Sequence, residues 1–147
     1  MLDRPLIDQH LQNMEEALTN LARYRSLRFE EFEKDLSLVW ATERGLQILI
    51  QNLLDIGAHI LASEIRNDWD DYGEIISKLG QHGVLPRVFA EKIKGMAGLR
   101  NILVHEYLRV DTKKIYDLLV NKLEDFTEFM RSVDHYLENE TKRGSPA

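Results

Sequence analysis

Four side chains able to do chemistry fall within eight residues of this sequence: Arg100, Asn101, His105 and Tyr107. Arginine is a permanent cation, and histidine is the side-chain type that exchanges protons near neutral pH. Ile93, Ala97, Arg100, Val104 and Tyr107 follow one another at offsets of four, three, four and three, the spacing of one helical stripe. The guanidinium is therefore expected on the same stripe as core residues, where removing it from water is costly unless carboxylates, carbonyls or a ligand phosphate pair with it. His105 comes five positions later, about 140° around an ideal helix, so the two groups diverge if the helix simply continues. They address one substrate only if the helix ends or loosens near His105, or if a second subunit supplies the complementary group. Spacing alone is equally served by a structural arrangement, in which Arg100 ties down terminal carbonyls, His105 favours the negative end of the helix dipole and Tyr107 packs.

The elements that must position these residues read as helices throughout. Asp3-Arg4-Pro5 starts a first helix whose apolar positions are Ile7, Leu11, Met14, Leu18 and Leu21. A second, from about Phe32 to Ala62, is apolar on more than one face, which suggests a central helix or one that meets another chain. Residues 66–71 break the pattern, and a short helix from Tyr72 to Leu79 is expected to stop at Gly80 and Gly83. Pro86 opens a fourth helix to about Val104, and Asp111 caps a long fifth one carrying Leu119, Leu123, Phe126, Met130, Val133 and Leu137. No period-two alternation bounded by hairpin turns occurs. The expected fold is all-α: an antiparallel up-and-down bundle of about five helices, as one domain over residues 1–143 with a disordered tail at 144–147. The broad apolar surface of the second helix predicts a homodimer.

With 147 residues and 44% hydrophobic composition, the chain can fill one core without disulfides, and it contains no cysteine. That removes thiolate chemistry and cysteine-based zinc sites and fits a reducing, cytoplasmic setting. No leader-like pattern and no uninterrupted apolar run of membrane-spanning length is evident. The net charge of −6 argues against a nucleic-acid partner, but residues 87–114 hold seven Lys or Arg against three acids, a local +4 on a body of −10. One basic site on an acidic protein is compatible with phosphate contact. His10, His59, His82 and His135 sit on separate elements without metal-ligand spacing, and Asp68, Asp70 and Asp71 lack the glycine and glutamate of a calcium loop. These read as structural or solvated positions, and Trp40 and Trp69 as packing residues. No metal or cofactor is called for.

Taken whole, the string Gly98-Leu99-Arg100-Asn101-Ile102-Leu103-Val104-His105-Glu106-Tyr107 resembles the signature of the HepT-like toxins of the HEPN superfamily. In that signature an Arg, a polar residue, three residues, a His, any residue and a Tyr recur in order. The stretches Ala41–Gln47, Asp55–Gly57, Leu79–Gly80, Gly83–Pro86 and Met96–Gly98 are similar to the same family's framework, so the resemblance spans about Leu2 to Leu137.

What the resemblance implies is a HEPN-like bundle acting as a metal-independent endoribonuclease, the toxin of a type VII-like toxin–antitoxin pair, active as a homodimer with one cleft between two subunits. On it, His105 is expected to serve as acid and base for 2′-hydroxyl attack, Arg100 to hold the scissile phosphate, and Asn101 to orient substrate or His105. It also implies an MntA-like nucleotidyltransferase antitoxin that transfers AMP to Tyr107. The rival expectation is a noncatalytic helical module that scaffolds such a partner; a complete Arg, Asn, His and Tyr set gives a scaffold no physical advantage.

Overall fold

The computed structural model describes residues 2–65, 71–105 and 111–144. Helix α1 (Arg4–Ala22) begins where the Asp3 carboxylate accepts the Leu6 N–H, and Pro5 fills a first-turn position that needs no N–H donor. The Asp3 N–H in turn donates to His59 Nε2 at 2.9 Å, tying this end to the far end of the central helix. Then come α2 (Phe29–Lys34), α3 (Leu36–Ile60), a π-helical turn (Leu61–Ile65), α4 (Tyr72–Gln81), α5 (Arg87–Ile93), α6 (Met96–Val104), α7 (Thr112–Asn121) and α8 (Leu123–Gly144). Among the described residues there is no strand, and the helices form an up-and-down bundle around α3.

Three of the five expected helices are each interrupted once. Asp35, at φ −103° and ψ 94°, turns its carboxylate to the Leu38 N–H and so starts α3 afresh after α2. Lys94 and Gly95 separate α5 from α6. Lys122, at φ −121°, separates α7 from α8, so that Ile115 and Leu119 on one side and Phe126, Phe129 and Val133 on the other all reach the core. Gly80 does not stop α4. It lies inside that helix, where the lack of a side chain lets α5 approach, since a Cβ there would sit 2.7 Å from the Ala90 Cβ; the chain turns instead at Gly83, with φ +78°. Asp71, expected in a solvated linker, caps α4 by accepting the Glu74 N–H. Of the expected tail at 144–147, Gly144 is the last residue of α8, and residues 145–147 lie outside the described ones.

Helix α3 is the axis of the core. Leu49, Ile50, Leu53, Leu54, Ile56 and Ile60 are fully buried, facing Ile7, Met14 and Leu21 of α1 and Ile75, Ile76 and Leu79 of α4. The run Leu36–Glu64 has a most apolar window of mean hydropathy 1.3, long and apolar enough to cross a membrane, yet 56% of that window is buried inside the protein. Its apolar character is thus used by α1, α4, α6 and α8. Trp40 departs from expectation: it is 62% exposed near the start of α3, beside an equally exposed Leu36 at 56%.

The α3–α4 crossing depends on Gly57, where a Cβ would lie 2.7 Å from Ile75 Cγ2 and 2.9 Å from Leu79 Cδ1. Gly57→Val is expected to lose about 2–3 kcal/mol in urea unfolding, because forcing methyls into a packed crossing outweighs the gain in helix propensity. An unchanged urea midpoint would show that the two helices can part without cost.

Candidate functional site

The break at Lys94–Gly95 means that the Ile93 stripe does not run on into α6. Within α6, Ala97 and Leu103 face the core, while Arg100 and Val104 are half-buried and Asn101 is exposed. Arg100 therefore lies at the rim of the core instead of within it.

Three elements converge on its guanidinium. From α3, Gln51 Oε1 accepts the Arg100 Nε–H at 3.0 Å. From α6 itself, Asn101 Oδ1 accepts from Arg100 Nη1 at 3.2 Å. From the first turn of α4, the Tyr72 ring lies under the guanidinium, with Cζ 4.6 Å from the ring centroid. The Gln51 amide is itself oriented, donating through Nε2 to Asp55 Oδ1 at 2.8 Å one turn along α3. Among the described residues Arg100 has no carboxylate within ion-pair distance. Its charge is satisfied by amide oxygens and a π face, which hold it without neutralising it.

Helix α6 ends at Val104. His105 is its C-cap at φ −85° and ψ 75°, donates its N–H to the Asn101 carbonyl at 3.3 Å, and has an exposed side chain. The helix thus leaves its regular path at the position where an imidazole five residues beyond Arg100 would otherwise be carried away from it. Arg100 and Asn101 are joined directly, and His105 follows Asn101 through the backbone. Tyr107 lies outside the described residues.

Asn101 and Tyr72 line a cleft of about 670 Å³ with Asp55, Ala58, Asp71, Gly73, Ala97 and Gly98. A second, more apolar groove of about 410 Å³ runs along another side of α6, floored by Met96, Leu99, Ile102 and Phe126 and edged by Lys92, Lys114 and Lys122. Part of the local positive charge is engaged in structure: Lys92 pairs with Asp125 at 3.0 Å, Lys94 with Glu91 at 2.7 Å, and Lys113 rests 4.5 Å above the Phe29 ring. The Asp125 carboxylate beside it raises the Lys92 pKa. The histidines away from the motif have local partners: His10 pairs with Asn52 and His135 with Asn139.

Gln51, Asp55 and Tyr72 were not legible as site residues. The available signal was weak: Gln51 and Asp55 are two polar residues one turn apart among several on α3, and nothing local ties them to a residue 49 positions later.

Residues 14–133 match the family described as ribonuclease HepT-like, which is most of the chain. A tRNA nuclease HepT of Aphanizomenon flos-aquae is 26% identical over 132 residues, 90% of each chain. An mRNA nuclease HepT of Shewanella oneidensis is 26% identical over 100 residues, covering 68% of this chain and 75% of that one. Among solved structures, the tri-AMPylated HEPN toxin of Shewanella oneidensis in complex with its MNT antitoxin superimposes with a TM-score of 0.80 at 21% identity, over 92% of this chain and 99% of the other. That likeness shows the fold, an all-α bundle like that toxin's. With the sequence match extending over both α3 and the Arg100–His105 segment, the chain belongs to the HepT-like ribonuclease family.

Proposed function

We propose that this chain is the toxin of a toxin–antitoxin pair and a metal-independent endoribonuclease, working as a homodimer in the cytoplasm. The observation that carries the reading is the Arg100 guanidinium, which has no carboxylate partner among the described residues and is held by Gln51, Asn101 and Tyr72 on the helix that ends in His105.

In this reading Arg100 binds the scissile phosphate and stabilises the charge that builds on it, and Asn101 holds Arg100 and the substrate in register. His105 takes the ribose 2′-hydroxyl proton as that oxygen attacks phosphorus. The bond to the 5′-oxygen breaks, and that oxygen leaves with a proton delivered by an imidazole. The products are a 2′,3′-cyclic phosphate and a 5′-hydroxyl, and the proton count closes without a metal-bound water. Incubation of the purified chain with RNA and excess chelator is expected to give these ends at the rate seen without chelator. Cleavage that stops with chelator and returns with a divalent cation would overturn the metal-independent mechanism.

The exposed Leu36, Trp40 and Val88 support self-association, since large apolar side chains of this kind gain most from a partner surface. Light scattering at micromolar concentration should return twice the monomer mass of 17.2 kDa. A monomeric mass would remove the second subunit from the mechanism. The antitoxin on this reading is an MntA-like nucleotidyltransferase that adds AMP to Tyr107, supported by the AMPylated relative bound to its MNT antitoxin.

A further inference from the structure

Arginines that serve only to hold a fold together commonly meet a carboxylate, which cancels their charge as it fixes them. Among the described residues Arg100 is fixed differently. Its Nε is taken by the neutral Gln51 amide at 3.0 Å, one Nη1 proton by the neutral Asn101 amide at 3.2 Å, and its face by Tyr72. Gln51 would be an ambiguous partner by itself, because the two ends of a carboxamide have nearly the same shape and opposite hydrogen-bonding sense. Asp55 removes the ambiguity. Its carboxylate oxygen accepts only, so at 2.8 Å it takes the Gln51 NH₂ and turns Oε1 toward Arg100.

Resting on the ribonuclease reading of this site, we infer that Gln51, oriented by Asp55, is a positioning residue that clamps Arg100 with its charge intact and its outer donors facing the RNA phosphate. The clamp occupies Nε and one Nη1 proton, and the remaining Nη protons form the end-on fork that matches two phosphate oxygens. A carboxylate at position 51 would hold Nε at least as firmly but would compete with phosphate for the same charge. Neutrality at residue 51 is therefore part of the function, while the charge of Asp55, one turn along α3, serves to orient the amide.

The test compares two variants of the full chain with the parent and with Arg100→Ala, in steady-state cleavage of one RNA, with thermal melting of each protein. Gln51→Leu keeps the bulk and removes the acceptor. It is expected to lower kcat by about tenfold to a hundredfold, the effect of one hydrogen bond to a charged group, with KM changed less than about threefold. The double variant Gln51→Glu with Asp55→Asn restores the hydrogen-bonding sense at both positions, so it should melt as the parent does. Its carboxylate should nevertheless raise KM by about tenfold or more, because the phosphate meets a cation already paired. A loss of folding alone would not separate geometry from charge in this way. Parent-like cleavage by a folded Gln51→Leu protein overturns the inference, as does parent-like kcat and KM in the double variant, which decides the matter if Gln51→Leu does not fold. If Arg100→Ala also cleaves like the parent, the site reading beneath the inference fails with it.

Discussion

His105→Ala is expected to give a folded protein whose RNA cleavage is lower by about two to four orders of magnitude, the usual worth of a positioned acid–base group. The fold should survive because the side chain is exposed at a helix end, and Ala retains the backbone N–H that donates to the Asn101 carbonyl. Arg100→Ala should lose about two to three orders of magnitude by a different route, the removal of a fixed positive charge from a site where negative charge develops. Arg100→Lys tests that distinction. Lysine keeps the charge but loses the planar fork and the Nε donor that Gln51 accepts at 3.0 Å, so partial activity with a raised KM is expected. The decisive measurement is single-turnover cleavage by protein purified away from host nucleases, alongside circular dichroism. A His105→Ala protein that cleaves at the parental rate would remove the catalytic assignment.

Modification of Tyr107 should have an effect of similar size. In the proposed neutralisation the tyrosine oxygen attacks the α-phosphorus of ATP, pyrophosphate leaves, and the protein retains an adenylyl group bearing one phosphodiester charge. Tyr107 is two residues after His105 in the sequence. On the proposed mechanism an anion and a purine attached there would compete with RNA for the Arg100 fork. Incubation with the nucleotidyltransferase partner and ATP is expected to add adenylyl mass and to reduce cleavage by about a hundredfold or more. Tyr107→Phe should take up no adenylyl group at that position and should keep cleaving in the partner's presence. Modification that leaves cleavage unchanged, or silencing of the Phe variant by ATP and partner, would refute this mode of neutralisation.

Much of this protein was legible before folding, and the legible parts are those set within a few turns of chain. Asp3 and Asp111 cap helices because a side-chain oxygen two or three residues ahead of orphan N–H groups is a local arrangement. The burial of Ile7, Met14 and Leu21 on α1, and of Phe126, Val133 and Leu137 on α8, follows from helical periodicity. The Arg100, Asn101, His105 and Tyr107 series is likewise local and led directly to the family.

Packing decided what periodicity could not. The breaks at Asp35, Lys94–Gly95 and Lys122 leave the heptad-like patterns intact on either side, so only the competition among neighbouring helices for α3 reveals them. The same competition brings Gln51, Asp55 and Tyr72 to Arg100 from 49, 45 and 28 positions away, and it leaves Trp40 in solvent. Residue order states which groups are available and how each turn begins. Which distant amide meets the guanidinium, and whether its charge is cancelled or kept, is settled by long-range burial that no short stretch of sequence contains.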